Sequence, residues 1–184
     1  MPIKQGARIL ALDDAPFSRK GKTALVIGVI GRQRIIEGVL SFKVYVAGDD
    51  STSKIIFAFR RSRFRSQIKA LALNGGTLAG LNIVDMVKLR KELKLPILAI
   101  TRRRPINERL TEALEASGAS RKKIELAKRN FNACKLYNMN GYYIQSIGME
   151  KLDVKMLSLE AAGLLRLAHL IASGIARGES KGRM

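Results

Sequence analysis

The sequence is poor in the residues that build disulfides and transition-metal sites. Cys134 is the only cysteine and His169 the only histidine among 184 residues. A single cysteine excludes an internal disulfide and a cysteine-based zinc site, and a single histidine excludes a site built from several imidazoles. No apolar run reaches the roughly 18 residues of a membrane-spanning helix, and the start MPIKQGARIL lacks the apolar region of a signal peptide. We therefore expect a cytoplasmic protein with no membrane partner.

Acidic residues are scarce relative to basic ones. The chain has 34 lysines and arginines against 15 aspartates and glutamates, which gives a formal net charge of +19. A positive field of this size attracts polyanions, and phosphate contacts dominate the affinity of proteins for nucleic acids. The charge therefore indicates a nucleic-acid partner. The alternative is a generically basic protein whose charge serves no particular ligand.

Apolar residues, at 47% of the chain, are sufficient for one α/β domain. Apolar runs at 8–12, 24–30 and 35–47 predict three antiparallel strands. Apolar strands at 69–73 and 96–100 flank a stretch of helical spacing, which predicts a parallel pair joined by a crossover. Helices are predicted over 54–59, 83–93, 107–117, 121–130, 151–160 and 164–175, and a hairpin over 135–139 and 142–147.

This order of elements is that of a ribonuclease H-like fold. Three antiparallel strands come first, parallel α/β units follow, and helices flank the mixed sheet. No repeat or linker interrupts the chain, so we predict a single domain over 1–184 with a mobile tail at 177–184.

Two aspartates, Asp13 and Asp14, end the first predicted strand. Carboxylates are hard oxygen ligands for Mg²⁺ or Mn²⁺, and the end of a strand holds them rigidly. In nucleases such ions activate water and stabilise the leaving oxygen. The alternative is a simple turn, because Ala15 and Pro16 follow directly.

A second acidic pair, Asp49 and Asp50, follows the third predicted strand. If the first and third strands are neighbours, these acids could approach Asp13. The alternative is local, because Asp50 or Ser51 could cap the helix predicted over 54–59.

The segment Asn74-Gly75-Gly76 ends the fourth predicted strand. The carboxyl ends of parallel strands face the ligand in α/β sheets, and glycine lets a ligand approach the backbone closely. Asn74 is neutral and therefore a weaker metal ligand than a carboxylate. The alternatives are a tight turn and a small-molecule phosphate site, although the glycine spacing matches no common phosphate-binding motif.

The arginines form two groups, and arginine binds phosphate bidentately. One group precedes the strand at 69–73, where Phe59 and Phe64 are more typical of core residues than of base-stacking platforms. The other follows the strand at 96–100 and leaves the same end of the sheet as Asn74. The predicted nucleic-acid-binding residues are Arg61, Arg63, Arg65, Arg102 and Arg103.

Several stretches, taken together and in order, resemble the archaeal endonuclease dU family, which is related to endonuclease V. The clearest are ILALDDAPF at 9–17, NGGTLAGLNIVD at 74–85 and LAHLIASGI at 167–175. Shorter matching stretches lie at 38–41, 48–56, 61–65 and 95–97.

The resemblance implies metal-dependent cutting of DNA, in preference to RNA, near a deaminated base such as deoxyuridine. It implies Mg²⁺ or Mn²⁺ held by Asp13 and Asp50, with Asn74 as a positioning group and His169 as a supporting ligand or orienter. Asp14, next to Asp13, is a further candidate ligand. Asn74 stands where most members carry aspartate, and His169 stands where the family tends to have histidine. On its own, a lone histidine on an apolar helix is more often a core residue than a site residue.

The neutral Asn74 keeps an alternative open. Loss of a carboxylate removes a charged ligand from a divalent-metal site. The chain could then be a nucleic-acid-binding module with reduced or lost catalysis, unless Asp14 or Asp49 compensates.

Overall fold

The elements lie close to their predicted positions. The computed structural model describes residues 6–18, 21–33 and 35–180, so the first five residues and positions 181–184 of the predicted tail lie outside it. The elements are β1 (Arg8–Asp14), β2 (Thr23–Arg32), β3 (Ile35–Tyr45), α1 (Ser51–Arg61), β4 (Ile68–Asn74), β5 (Thr77–Leu78), β6 (Asn82–Ile83), α2 (Met86–Leu93), β7 (Ile97–Thr101), α3 (Asn107–Ala116), α4 (Arg121–Ala133), β8 (Lys135–Met139), β9 (Tyr142–Ile147) and α5 (Lys151–Arg177).

Seven strands form one mixed sheet in the order β3-β2-β1-β4-β7-β9-β8. The first three strands pair antiparallel, β1 pairs parallel with β4, and β4 pairs parallel with β7. The hairpin of β8 and β9 extends the sheet antiparallel to β7. The predicted ribonuclease H-like α/β class is confirmed.

The central strands bury both of their faces, which explains why they are apolar without strict alternation. In β1, Leu10 and Leu12 join the core beneath α1 and α2, whereas Ile9 and Ala11 face the core beneath α5. This division follows the two-residue period of a strand. Core clusters on both faces hold the sheet between two helical layers.

The long helix α5 lies against the sheet through small residues. Ala161, Ala168 and Ala172 are fully buried in the same cluster as Ala11 and Ala72 of the sheet. Small side chains on both surfaces let the helix approach the strands closely. By length and composition α5 is also apolar enough to cross a membrane. Its buried face packs on the sheet, and 39% of its most apolar window is buried.

Three details of the arrangement differ from what the sequence analysis considered. The condition that β1 and β3 be neighbours is not met, because β2 lies between them. The helix predicted to begin at Ile83 begins at Met86, because Ile83 pairs with Thr77 in the small β5-β6 ribbon. The two helices predicted near the C-terminus are one continuous helix, α5.

Candidate functional site

Asp13 lies at the centre of a hydrogen-bonded cluster and is only 2% exposed. Its Oδ1 accepts hydrogen bonds from Nδ2 of Asn74 and from the backbone N–H of Asp14, both at 3.0 Å. Its Oδ2 lies 3.0 Å from Nδ1 of His169. Three predicted site residues, Asp13, Asn74 and His169, are therefore brought together.

The fold places these three residues side by side. Strands β1 and β4 are parallel neighbours with Leu12 opposite Leu73, so the next residue of each strand reaches the same end of the sheet. The carboxyl ends of parallel strands are where ligand sites form in α/β sheets. Helix α5 crosses this end with Ala168 against the core, which directs His169 to Asp13.

Asp14 places a second carboxylate beside the first. Its Oδ2 accepts a hydrogen bond from the backbone N–H of Ala79 at 3.1 Å. Burial, and after it the charge of Asp13, raise the pKa of Asp14 to about 6. Burial also raises the pKa of Asp13, against the hydrogen bond from Asn74 and the interaction with His169. Two poorly solvated carboxylates thus lie together in a protein of strongly positive charge.

Asp14→Asn should therefore stabilise the metal-free protein at pH 8 but not at pH 4. Between about pH 4 and 6 folded Asp14 holds a proton that the unfolded chain has lost, so ionisation lowers stability as the pH rises. The expected gain at pH 8 is about 1 to 2 kcal/mol, reduced from the full pKa difference because the side chain is partly exposed. Urea unfolding in EDTA at both pH values measures it.

Asp14→Asn changes the charge of the side chain and little else, so the experiment measures the effect of that charge on stability. Asparagine can still accept the hydrogen bond from Ala79 through its side-chain oxygen, so packing and hydrogen bonding are conserved. Glu125→Gln, an exposed carboxylate of α4, is the matched control and should leave the unfolding free energy within about 0.5 kcal/mol. An equal change for Asp14→Asn at pH 4 and pH 8 would contradict this electrostatic account.

A cleft of about 370 Å³ opens beside the cluster. Arg102 and Arg103 follow β7, the parallel neighbour of β4, so they emerge at the same end as Asn74, as predicted. The guanidinium of Arg102 lies 5.9 Å from the centre of the Tyr142 ring. The residues lining the cleft are Asn74, Ile100, Thr101, Arg102, Arg103, Tyr142, Ala162, Leu165 and His169.

The sequence analysis missed two residues of this region. Ser173 is buried, and its Oγ lies 3.4 Å from Nε2 of His169. The spacing of four residues on one helix is a signal that could have identified Ser173. Tyr142 lines the cleft from the β8-β9 hairpin, and only the pairing of β9 with β7 brings it there.

Asp50 makes its contacts away from the Asp13 cluster. Its Oδ1 accepts hydrogen bonds from the backbone N–H of Tyr45 at 3.1 Å and from Nδ2 of Asn82 at 2.8 Å. It occupies the N-cap position of α1, but its side chain makes no capping hydrogen bond. The condition under which Asp50 could approach Asp13, adjacency of β1 and β3, is not met, since β2 lies between these strands. Its role as a second ligand stays a prediction.

The remaining predicted arginines lie far from the cleft. The guanidinium of Arg61 lies 5.3 Å from the centre of the Phe57 ring, and that of Arg63 lies 4.8 Å from the centre of the Phe64 ring. With Arg65 they precede β4, whereas Asn74 ends it. The structure therefore divides the predicted nucleic-acid-binding residues between two ends of the sheet.

The cluster can supply few protein ligands to a metal ion. Within residues 6–18, 21–33 and 35–180, no group of three or more histidine, cysteine or acidic side chains is arranged to hold one. Asp13 and Asp14 remain as paired carboxylates. Mg²⁺ commonly binds through one or two carboxylates and completes its shell with water and substrate phosphates. The donors fit a hard divalent ion of this kind and not a transition metal held by a full protein cage.

Comparison with known proteins gives the family. The sequence pattern of the endonuclease dU family matches residues 5–176. The chain belongs to the endonuclease dU family. A UPF0215 protein of Methanothermobacter thermautotrophicus is 36% identical over 192 residues, which cover 98% of this chain and 93% of that protein. The predicted family membership is confirmed.

Solved structures of two kinds are similar to this chain. A crystal structure of a protein of unknown function from Archaeoglobus fulgidus covers 91% of this chain and 97% of its own, with 31% identity and a TM-score of 0.80. A structure of Ciona intestinalis endonuclease V in complex with DNA containing an inosine covers 96% of this chain and 88% of its own, with 10% identity and a TM-score of 0.49. A similarity this remote supports no conclusion about the chemistry of the present protein.

Proposed function

We propose that this protein is a cytoplasmic endonuclease that uses Mg²⁺ or Mn²⁺ to cut DNA near deaminated bases such as deoxyuridine. Membership of the endonuclease dU family supports the nuclease activity. The observation that carries the proposal is one cleft lined by Arg102 and Arg103 together with Asn74 and His169, the two side chains that contact the buried Asp13. Acidic residues that can hold a divalent ion and arginines that can hold phosphate are the two requirements of phosphodiester hydrolysis.

The residues have separate tasks in this proposal. Asp13 and Asp14 would hold the metal ion, which would supply activated water and stabilise the leaving oxygen. Arg102 and Arg103, which line the cleft, bind phosphates of the DNA. The apolar wall of the cleft, formed in part by Ile100 and Leu165, excludes water from a bound nucleotide.

His169 is oriented for proton transfer. Nδ1 of His169 can donate a hydrogen bond to the carboxylate oxygen of Asp13, and in that tautomer of the neutral ring Nε2 is an acceptor. Ser173 lies next to Nε2 and can donate its hydroxyl proton to it. Fixed in this way, Nε2 can take or return a proton at the edge of the cleft.

The test uses oligonucleotides that differ at one base. Duplexes and single strands containing deoxyuridine, deoxyinosine or only thymidine are incubated with the protein in Mg²⁺, Mn²⁺ or EDTA. We expect cutting near deoxyuridine in either metal, little cutting of the thymidine strand, and none in EDTA. Equal cutting of all three strands would refute the base specificity, and cutting in EDTA would refute the metal requirement. No cutting of any strand would refute the nuclease function.

A second candidate function is favoured by the hydrogen bonds of Asp13. Asn74, the Asp14 backbone and His169 already satisfy its carboxylate without a metal ion. Such a closed cluster suits a nucleic-acid-binding module that has lost catalysis. This function requires binding that weakens with salt, shows no dependence on metal and leaves the DNA intact.

A further inference from the structure

A second basic surface lies at the opposite end of the sheet from the cleft. It is a groove of about 990 Å³ that includes Ile68, where β4 begins, and Pro96, which precedes β7. Because Asn74 ends β4, the groove and the cleft lie beyond different ends of the same strand. Its basic residues, which define the basic groove, are Arg8, Arg32, Arg65, Lys69, Arg90 and Lys94.

The basic groove carries charge that carboxylates do not balance. Glu37 forms ion pairs with both Arg8 and Arg32. Within the described ranges, the other four basic residues of the groove form no ion pair with a carboxylate; they are Arg65, Lys69, Arg90 and Lys94. Like charges held together repel one another, so the arrangement favours a bound polyanion.

The basic residues of the groove come from several elements, so no single helix or loop explains why they cluster there. Arg90 and Lys94 lie at the C-terminal end of α2, where cations interact favourably with the helix dipole. That effect does not explain Arg65 in the loop before β4 or Lys69 within β4. Convergence of side chains from separate elements indicates a shared ligand.

The Arg90 side chain lies against Gly148 in the turn after β9. Gly148 has a φ of +83°, a conformation that favours glycine, and a Cβ added there would come within 2.4 Å of Nε of Arg90. The turn and the end of α2 therefore meet at Arg90 along the groove.

The lining also indicates which part of a polyanion the groove fits. Its cations are mostly exposed, and its aromatic residue, Phe59, is buried in the core and not available to stack on a base. A surface with charge but no base-stacking platform fits a phosphodiester backbone, whose contacts carry no sequence information.

We propose that the basic groove binds the backbone of a DNA segment distinct from the segment that lies in the cleft. The seven residues of β4 separate the two surfaces by about 20 Å at roughly 3.3 Å per residue, or about six base pairs of duplex. DNA as the ligand rests on the proposed function, but binding in the groove does not depend on cutting. The groove would add affinity and hold long DNA in a fixed orientation.

The experiment measures how salt weakens binding to a duplex of about 24 base pairs, because each phosphate contact contributes about 0.9 to the slope of log K against log salt. The groove pair, Lys69→Gln combined with Lys94→Gln, removes two exposed cations of the basic groove. The control pair, Lys122→Gln combined with Lys128→Gln, removes two exposed lysines of α4 and makes the same change in net charge. We expect the groove pair to reduce the slope by about 2 and the control pair to change it by less than about 0.5. Thermal unfolding checks that both variants are folded.

Binding of a short single strand distinguishes the cleft from the basic groove. A single strand of about four nucleotides is too short to span both ends of β4. Its affinity should fall in Arg102→Gln combined with Arg103→Gln and stay unchanged in the groove pair. Equal slope changes in the groove and control pairs, no change in the groove pair, or a loss of short-strand binding in the groove pair would each overturn the proposal.

Cutting is recorded in the same samples so that the two proposals can fail separately. If wild-type protein cuts no strand but the groove pair alone lowers the salt slope, the nuclease function fails and the groove stands. If the protein cuts at deoxyuridine and the groove pair leaves the slope unchanged, the groove proposal fails alone.

Discussion

Asp13→Ala is expected to lower the rate of cutting at deoxyuridine by about 1,000-fold, the range typical for loss of a group that serves both metal binding and proton transfer. Asp13 contacts both Asn74 and His169, so its removal takes away a candidate ligand and the group that orients the histidine. DNA binding should be unchanged or slightly tighter, because a negative charge beside the phosphates is lost. Single-turnover cutting and salt-matched binding titrations measure the two effects.

Two companion variants make this result specific. Asp13→Asn keeps the size of the side chain and removes its charge, so it should lose nearly as much activity as the alanine variant. Glu125→Gln makes the same carboxyl-to-amide change on an exposed part of α4 and should cut like the wild type. Retained cutting in Asp13→Asn would show that the charge of Asp13 is not needed and that the metal ion binds at other residues. An equal loss of cutting and binding in Asp13→Ala would point to a structural role instead.

Asn74→Asp is expected to destabilise the metal-free protein by about 1 to 3 kcal/mol at pH 8, through loss of a part-buried hydrogen bond and added charge repulsion. Aspartate cannot donate to Oδ1 of Asp13 as Nδ2 of Asn74 does, and it adds a third carboxylate to a pair whose pKa values burial already raises. A divalent ion should reverse the loss, because the variant supplies a further charged ligand. Urea unfolding in EDTA and in MnCl₂ measures both effects.

The same variant distinguishes the two candidate functions. If the protein is a nuclease with a weakened metal site, Asn74→Asp should also increase cutting at low metal concentrations. Asn138→Asp, an exposed position on β8, controls for the added charge and should shift stability by less than about 0.5 kcal/mol with no response to metal. Destabilisation that Mn²⁺ fails to reverse would contradict a cation site here and favour the binding module.

Local patterns predicted much of the fold because they report local physics. The limits of β8 and β9 match the prediction, since Asn140 and Gly141 both adopt positive φ, as a two-residue hairpin turn requires. The meeting of Asp13 with Asn74 followed from a general property of parallel strands. Two helices were predicted over 151–160 and 164–175, but burial of Leu157, Ala161 and Leu164 against the sheet keeps α5 continuous.

Contacts between distant elements were harder to predict. The side chain of Asp50 contacts Tyr45 and Asn82 and not Asp13, and no sequence pattern shows these contacts. The pairing of His169 with Asp13 depends on how α5 crosses the sheet, and only the family resemblance indicated it. By contrast, the separation of Arg65 from Arg102 could have been foreseen, because one precedes β4 and the other follows its parallel neighbour β7.

The hydrogen bonds of Asp13 also have a consequence for folding. They join residues 61 and 156 positions apart in the sequence. Contacts of such long range form late, because closing large loops costs entropy before the contact is gained. A nascent or partly unfolded chain that has made only its local hairpins and helices therefore holds no assembled catalytic group, whereas its positive charge is present from the start. In such a chain, attraction to nucleic acid precedes any capacity to cut it.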